Sequence, residues 1–178
     1  RPALYGSHVF FQSDLDGLGT GSGVFRANLF GQLVEIARRG DVAPSGNIFD
    51  ALDGVPLPSG NAHGQVAYAA IVDLSGNPNS NLSALYRGDA FAQREVMEEG
   101  VPAPGNGSLF FRTPSGVFTG PSINDNGDIA FSAGLFATTG GEADNEAIYR
   151  WDGSSDTLVE IVRKGGAVPD GDGTFTGT

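Results

Sequence analysis

The sequence predicts an all-β fold of three tandem, four-stranded antiparallel units that are each about 60 residues long. Glycine and proline are dispersed along the chain, with 28 and 10 residues among 178, which is typical of many short elements joined by turns. Several segments alternate apolar and polar residues with a period of two, as half-buried strands do. Short motifs also recur three times in the same order. Together these observations favour strands over helices.

The repeat consists of four features that follow one another in each unit. The recurring positions are a glycine before a strand (Gly6, Gly64, Gly127), an aromatic residue followed by arginine (Phe25 and Arg26, Tyr86 and Arg87, Tyr149 and Arg150), and a glutamate (Glu35, Glu95, Glu160). A glycine-rich turn and a phenylalanine then close each unit. Four features in the same order three times indicate internal duplication.

The third unit shows the four predicted strands most clearly. We predict a short strand around "VFTGPSIN" and longer ones at "DIAFSAGL", "EAIYRWD" and "TLVEIVRK", each bounded by Gly, Asn, Asp or Pro. The tetrapeptide "NDNG" between the first two predicts a tight turn, because Gly127 tolerates positive φ and the Asn124 side chain can brace the backbone. We expect the following aromatic residue to be a core anchor.

The units are predicted at residues 1–45, 46–106 and 107–170, with 171–178 as a separate strand. Units of this size suit β-propeller blades, of which a closed propeller has about four to eight, so three are too few. The last residues, "GDGTFTGT", supply the piece that the first unit lacks.

We therefore expect this C-terminal strand to complete the first unit of the same or a neighbouring chain by backbone pairing. Two chains would give a six-bladed ring, and many chains would give a filament. The residues expected at this contact are Gly173, Thr174 and Phe175 on one side and Leu4 and Phe10 on the other. The alternative is that the chain is a fragment of a longer repeat array.

Two stretches, "NDNGDIAF" and "NAHGQVAY", resemble the repeat of exported bacterial tandem-repeat proteins with an NxxGxxxF signature. The matching positions are Asn124, Gly127 and Phe131 in the third unit and Asn61, Gly64 and Tyr68 in the second. The first unit keeps Gly6 and Phe10 but has Ala3 in place of the asparagine. The resemblance implies a secreted or surface-anchored protein of propeller-like blades without an established enzymatic activity.

The recurring arginine and glutamate are predicted to form a structural ion pair in every unit. The pairs are Arg26 with Glu35, Arg87 with Glu95, and Arg150 with Glu160. The two residues of each pair lie eight to ten residues apart on strands that a hairpin would place side by side. Because active sites usually occur once, threefold repetition favours a structural role over a catalytic one.

Composition excludes several classes of function. A formal charge of -11 disfavours nucleic acid and anionic membrane surfaces, and no apolar run is long enough to cross a bilayer. The chain has no cysteine, and its only histidines, His8 and His63, occupy non-equivalent positions without a nucleophile motif. We therefore expect no enzymatic activity and no cofactor, although a carboxylate pair for glycoside hydrolysis stays open in so acidic a chain.

The loops offer the remaining candidate sites, because the connections at 14–23, 73–81 and 137–147 differ between units. Asp14 and Asp16 could supply oxygen ligands to calcium, but the stretch lacks the third acidic position and the closing glutamate of a full calcium loop, which favours a solvated turn.

Trp151, the sole tryptophan, could stack on a sugar if it is exposed, and packing at a strand edge is the alternative. Two functions follow. The first is a non-enzymatic extracellular structural protein that binds other copies of itself, and the second is a glycan-binding module that uses the loops.

Overall fold

A computed structural model describes residues 2–15, 21–52, 57–74, 81–110 and 120–177. The predicted all-β fold is confirmed: the described residues form fourteen strands, and their single helical turn is the 3-10 segment Gly141–Ala143. Within these ranges no helix has the length and apolar character that crossing a bilayer requires.

The strands form three separate antiparallel sheets in chain order. The first contains β1 (Ala3–Tyr5), β2 (His8–Leu15), β3 (Gly21–Asn28) and β4 (Leu33–Arg38). The second contains β5 (Ile48–Ala51), β6 (Ser59–Gly60), β7 (Val66–Asp73), β8 (Asn81–Gly88) and β9 (Gln93–Glu98). The third contains β10 (Ser108–Phe110), β11 (Ser122–Ile123), β12 (Ile129–Phe136), β13 (Glu146–Asp152) and β14 (Thr157–Arg163).

Each sheet is a meander, and in the second and third sheets the first strand is interrupted. In the second sheet β8 pairs with one edge of β7, while β5 and β6 both pair with the other edge. The third sheet repeats this with β10 and β11 along β12. The first strand predicted around residues 117–124 contains the short strand β11, whereas β10 lies upstream of the predicted segment. Residues 111–119 lie outside the described residues.

The first sheet begins with a shorter turn than the other two. Tyr5 pairs with His8, which leaves a two-residue turn, whereas Gly60 pairs with Val66 across five residues in the second sheet. The register consequently places Phe11 opposite Phe25, in the position that Tyr68 and Phe131 hold in the other sheets. The sequence predicted Phe10 as their equivalent, but the register shows that the equivalent is Phe11, one residue later.

A β-bulge occurs at the same place in all three sheets. The shifts in register lie between β3 and β4, between β8 and β9, and between β13 and β14. They occur just before Phe25, Tyr86 and Tyr149. The shift leaves one extra residue in the fourth strand, namely Ile36, Val96 or Ile161. A bulge of this kind redirects a side chain, and here the redirected side chain is always a β-branched aliphatic one.

The hydrophobic core lies between consecutive sheets. One buried cluster joins Phe10, Val24 and Ile36 of the first sheet to Tyr68 and Tyr86 of the second. A second cluster joins residues of the second sheet to the third, and it contains Ala67, Leu85, Val96, Ile123, Ile129, Phe131, Tyr149 and Trp151. Each sheet is thus stabilised by burial against its neighbour in the chain.

Candidate functional site

The NxxG motif forms the turn that leads into the first long strand of the second and third sheets. The side-chain oxygens of Asn61 and Asn124 accept hydrogen bonds from the backbone N–H groups of Gln65 and Asp128, at 3.0 and 2.9 Å. The glycine three residues after each asparagine has positive φ, +80° at Gly64 and +83° at Gly127. The asparagine therefore braces the turn, and the glycine supplies its left-handed conformation.

The carbonyl of the same glycine also accepts a hydrogen bond from the arginine of the preceding unit. Arg26 Nη1 donates to the carbonyl of Gly64 at 3.0 Å, and Arg87 Nη1 donates to the carbonyl of Gly127 at 3.3 Å. A Cβ at Gly64 would lie 2.2 Å from Arg26 Nη1, and one at Gly127 would lie 2.8 Å from Arg87 Nη1. The glycine is thus required both for the turn and for contact between units.

The turns of consecutive units are also bonded to each other directly. Asn61 Nδ2 donates to the carbonyl of Asn124 at 2.9 Å, and the backbone N–H of Ala62 donates to Asp125 Oδ1 at 2.9 Å. Asn61 therefore braces its own turn and also bonds to the turn of the next unit. The motif thus stabilises the contact between units as well as the turn itself.

The bulged aliphatic residue is the apolar contact at each junction. Ile36 is 4% exposed and Val96 is 8% exposed, because the following sheet covers each of them, whereas Ile161 is 58% exposed. A Cβ placed at Gly88 of the second sheet would lie 2.9 Å from Ile36 Cγ2, which shows how closely that sheet packs on Ile36. Ile161 has no following sheet among the described residues.

A second apolar contact pairs a large residue with a small one. Phe10 packs on Gly60 of the next sheet, where a Cβ would lie 2.0 Å from its ring, and Ala67 joins the cluster that contains Ile123. The register makes Leu4 the counterpart of Gly60 and Ile123, and Ala130 the counterpart of Phe10 and Ala67. Leu4 is 66% exposed and Ala130 is also exposed.

Phe10 itself is fully buried inside the chain. The prediction that it forms part of a surface for another copy is therefore wrong, and Leu4 is the exposed residue on that strand. Gly173 and Thr174 are exposed, and Phe175 is half-buried.

The connectors between sheets share one pair of backbone hydrogen bonds. Gly40 N–H donates to the carbonyl of Phe49 at 2.8 Å, and Gly100 N–H donates to that of Leu109 at 2.9 Å. Gly165 N–H donates to the carbonyl of Phe175 at 2.8 Å in the same way. In the opposite direction, a connector carbonyl accepts a hydrogen bond from the N–H group of Phe49, Leu109 or Phe175, at 3.0, 2.9 and 3.0 Å respectively. Phe175 therefore occupies the connector position of Phe49 and Leu109.

Those two residues enter the following sheet, where Phe49 pairs with Val72 and Leu109 pairs with Leu135, and both are fully buried. By register, Leu15 of the first sheet is the counterpart of Val72, the residue that pairs with Phe49. Among the described residues, no strand pairs with the β2 edge opposite β3 over the segment from Ser13 to Leu15.

Two surfaces result from these equivalences, and each presents one half of the internal junction. We call the first the head face; it consists of Leu4, the Gly6–Ser7 turn, Ala27 and Leu33. We call the second the tail face; it consists of Ala130, Arg150, Ile161 and Phe175.

A groove of about 340 Å³ between the first two units is lined by Glu35, Ile36, Val42, Pro44 and residues 89–93 of the second unit. A groove of about 520 Å³ on the tail face is lined by Ile161, Val162, Gly166, Ala167, Pro169 and Phe175.

The predicted arginine–glutamate pairs are not formed. Each glutamate lies opposite the aromatic residue that precedes the arginine, as Tyr86 opposite Glu95 shows, because the bulge shifts the register by one residue. Since neighbouring residues of a strand face opposite sides, Arg87 and Glu95 are on different faces of the sheet. The glutamate instead accepts a hydrogen bond from the tyrosine hydroxyl, at 3.2 Å between Tyr86 and Glu95.

Burial raises the pKa of the Tyr149 hydroxyl to about 12, so it stays protonated and donates to Glu160. Arg163 binds the same carboxylate and also donates to the carbonyls of Pro104 and Asn106 in the connector, at 3.0 and 3.2 Å. The glutamate therefore holds an arginine that fixes the connector to the third sheet.

Trp151 is buried, with 1% of its surface exposed. Its indole N–H donates to Asp156 at 3.0 Å, and the guanidinium carbons of Arg87 and Arg94 lie 5.1 and 5.2 Å from its ring centroid. Such cation–π contacts cover the ring. The burial of Trp151 fits the packing interpretation and not sugar stacking, because the ring forms part of the junction between the second and third sheets.

The predicted calcium ligands are only partly described. Asp14 is an exposed residue of β2, and Asp16 lies outside the described residues. Within the described ranges, no group of three or more potential ligand side chains is arranged around a common point. His8 has a lowered pKa because of burial and of the nearby Arg26, and it contacts the ring of Phe10.

The contacts between units escaped prediction from the sequence. The arginine and glycine of each unit were recognised as repeated, yet the pairing of Arg26 with Gly64 joins different units. The available signal was that the turn glycine and the arginine both recur in all three units. We expected that cation to find a carboxylate within its own hairpin.

Comparison with known proteins adds a family and no function. None of the curated proteins is similar enough to this chain to count as a match. A family model described as a family of unknown function, DUF7453, matches residues 6–178. The match includes every strand except β1, and the chain therefore belongs to the DUF7453 family.

Proposed function

We propose that this chain is a non-enzymatic structural repeat protein whose copies join head to tail, outside the cell, into a filament or a ring. The tail face of one copy would bind the head face of the next, and the strand around Phe175 would complete the first sheet of the neighbour along β2. The observation that carries the proposal is the exposure of Ile161, 58%, at a position that is buried in both preceding units.

Apolar burial supports association between these two faces. The tail face exposes Ile161 and Ala130, and the head face exposes Leu4 and Leu33, which are 66% and 61% exposed. Burying side chains of this size contributes about 1.5 to 3 kcal/mol each, so several such contacts favour association. The contact is heterologous, which generates a ring if the rotation closes and a filament if it does not.

Charge also supports head-to-tail association over a symmetric tail-to-tail dimer. Residues 1–45 carry four basic and four acidic residues, whereas residues 107–178 carry four basic and ten acidic residues. Two copies of the acidic third unit would therefore repel each other, whereas a near-neutral first unit beside an acidic third unit would not. Isologous tail-to-tail dimers are disfavoured on this ground.

The extracellular location in this proposal follows from the resemblance to exported NxxGxxxF repeat proteins. The alternative of a glycan-binding module now relies on the loops alone, since Trp151 is buried. No described feature of the loops favours it over assembly.

Light scattering at several protein concentrations tests the proposal. The wild-type chain should show a mass that grows with concentration, and Ile161→Asp should reduce it toward a single chain because it places a charge in the junction. Phe91→Asp is the matched control, since Phe91 is 96% exposed and lies on neither face. Single chains at every concentration in the wild type would refute the proposal.

A further inference from the structure

We infer that Arg150 is a specificity-determining residue of the head-to-tail contact and that it donates to a backbone carbonyl of the Gly6–Ser7 turn in a second copy. This inference rests on the proposed function and names the polar contact that would fix the orientation of the copies. Apolar contacts are non-directional, so an assembly that uses one register needs a directional group.

The inference follows from two internal precedents. Arg26 and Arg87 each donate through Nη1 to the carbonyl of the turn glycine in the next unit, at 3.0 and 3.3 Å. Arg150 is the third member of this series, because its place in the β12–β13 register is that of Arg87 in the β7–β8 register. The next turn in the series is Gly6–Ser7 of another copy.

The local environment holds Arg150 ready for this contact. Its Nη2 donates to Asp128 at 3.0 Å and to Asp152 at 3.2 Å, and 48% of the side chain is exposed. Both bonds use Nη2, whereas the internal precedents use Nη1. The two carboxylates can therefore keep the guanidinium in place while it binds a neighbour, which lowers the entropic cost of the contact.

These carboxylates are themselves fixed. Asp128 accepts hydrogen bonds from Asn124 Nδ2 at 3.1 Å and from the Gly153 N–H at 3.1 Å, and these bonds help to lower its pKa. The third unit differs here from the second, where Gln65 stands at the position of Asp128. Asp89 of the second unit stands at the position of Asp152, but it accepts hydrogen bonds from the N–H groups of Phe91 and Ala92. The third unit, which has no following sheet among the described residues, thus holds its arginine with carboxylates, whereas the next sheet fixes Arg87.

The head face accommodates an approaching guanidinium. Gly6 has positive φ, +56°, and its nearest neighbour outside the turn is Ala62, at 3.4 Å from a built Cβ. Ser7 and Gly6 carry no bulky side chain, so the turn leaves its backbone open to an incoming group. The adjacent His8 has a lowered pKa and is neutral at pH 7, which avoids repulsion of the arginine.

A defined heterodimer provides the test. One chain, the tail provider, carries Leu4→Asp and Leu33→Asp, which disable its head face. The other chain, the head provider, carries Ile161→Asp and Phe175→Asp, which disable its tail face. Because each chain keeps one functional face, a mixture can form only a one-to-one complex, whose Kd is measured by sedimentation or calorimetry. Arg150→Ala is then introduced into either chain.

In the tail provider, Arg150→Ala should raise Kd by about tenfold or more, since it removes a charge-assisted hydrogen bond. In the head provider the same substitution should leave Kd unchanged, because that Arg150 lies on the disabled face. Arg150→Lys in the tail provider should also weaken binding, because a lysine cannot bind the two carboxylates and a carbonyl with one planar group.

The outcomes separate the two claims. If no heterodimer forms with Arg150 intact, head-to-tail assembly itself is refuted. If the heterodimer forms and Arg150→Ala in the tail provider leaves Kd unchanged, only the role of Arg150 is refuted. An equal loss of affinity from either position would show that Arg150 acts through folding, which would also overturn the inference.

Discussion

The two internal junctions and the two outer faces of this protein have the same parts but differ in what covers them. At the first junction the bulged Ile36 lies under the second sheet, and at the tail face the equivalent Ile161 is exposed. Ile123 is buried at the second junction, whereas the equivalent Leu4 is exposed on the head face. The difference shows that a repeat of this kind carries the chemistry of its interfaces in every unit.

The polar contacts differ in the same manner. Inside the chain, Arg26 and Arg87 bind carbonyls of the following unit, while Arg150 is held by carboxylates of its own unit. An interior unit can rely on its neighbour to fix the arginine. The third unit has a replacement in Asp128 and Asp152, which keeps the guanidinium ordered without a following sheet.

The largest difference is expected from truncating the bulged residue at the two locations. Ile36→Ala should lower the free energy of unfolding by about 3 kcal/mol, because it leaves a cavity between two sheets. Ile161→Ala should cost less than about 1 kcal/mol in the single chain, since that side chain is largely exposed. Urea denaturation at low protein concentration measures both. Equal losses would show that the two positions are not equivalent in packing.

The turn glycines should give the next largest difference. Gly64→Ala should cost about 2 to 3 kcal/mol, because alanine is strained at positive φ and its Cβ would displace the Arg26 guanidinium from the glycine carbonyl. Gly6→Ala should cost only about 1 kcal/mol, since the strain alone remains. Thermal unfolding of both variants checks this order. A larger loss at Gly6 would contradict the account of the arginine contact.

The smallest effect compares the connectors of the second and third sheets. Arg163 binds Glu160 and connector carbonyls in the third sheet, whereas the second sheet has Glu98 at that place, beside Glu95. Burial, and then the nearby Glu95, raise the pKa of Glu98, so its ionisation opposes folding as the pH rises above the ordinary glutamate range. Glu98→Arg should therefore stabilise the protein by about 1 kcal/mol at pH 7.

The control for this prediction is the reverse change. Arg163→Glu should destabilise the third sheet, because it removes the connector contacts and places a carboxylate next to Glu160. The gain from Glu98→Arg should shrink as the pH falls, because Glu98 of the wild type then binds its proton and no longer buries a charge. A destabilised Glu98→Arg variant would show that the two connectors have different geometry.

The sequence was sufficient to predict the strands because their determinants are local. Turn residues such as Asn124 and Gly127 mark the ends of strands, and the period of two between Ile129 and Phe131 marks their buried faces. The predicted segment "EAIYRWD" coincides with β13, Glu146–Asp152. Each of these signals lies within a few residues of the element that it predicts.

The junctions were not predictable because they depend on register and on the packing of sheets. A one-residue bulge after Val24 moves Glu35 opposite Phe25, and a one-residue shift in register reverses the face of every side chain. The arginine therefore lies away from the glutamate that its spacing suggested. Its true partner, the carbonyl of Gly64, is a backbone group that no sequence pattern marks.

Disulfide trapping tests the central claim, which is that the contact between copies repeats the internal junction. The chain has no cysteine, so Leu4→Cys combined with Ala130→Cys introduces the only two thiols. Their internal counterparts, Ala67 and Ile123, belong to one buried cluster. Oxidation should give a ladder of disulfide-linked multimers, and Phe91→Cys combined with Leu4→Cys should give far fewer as a collision control. Unlinked single chains, or a disulfide within one chain, would contradict the account.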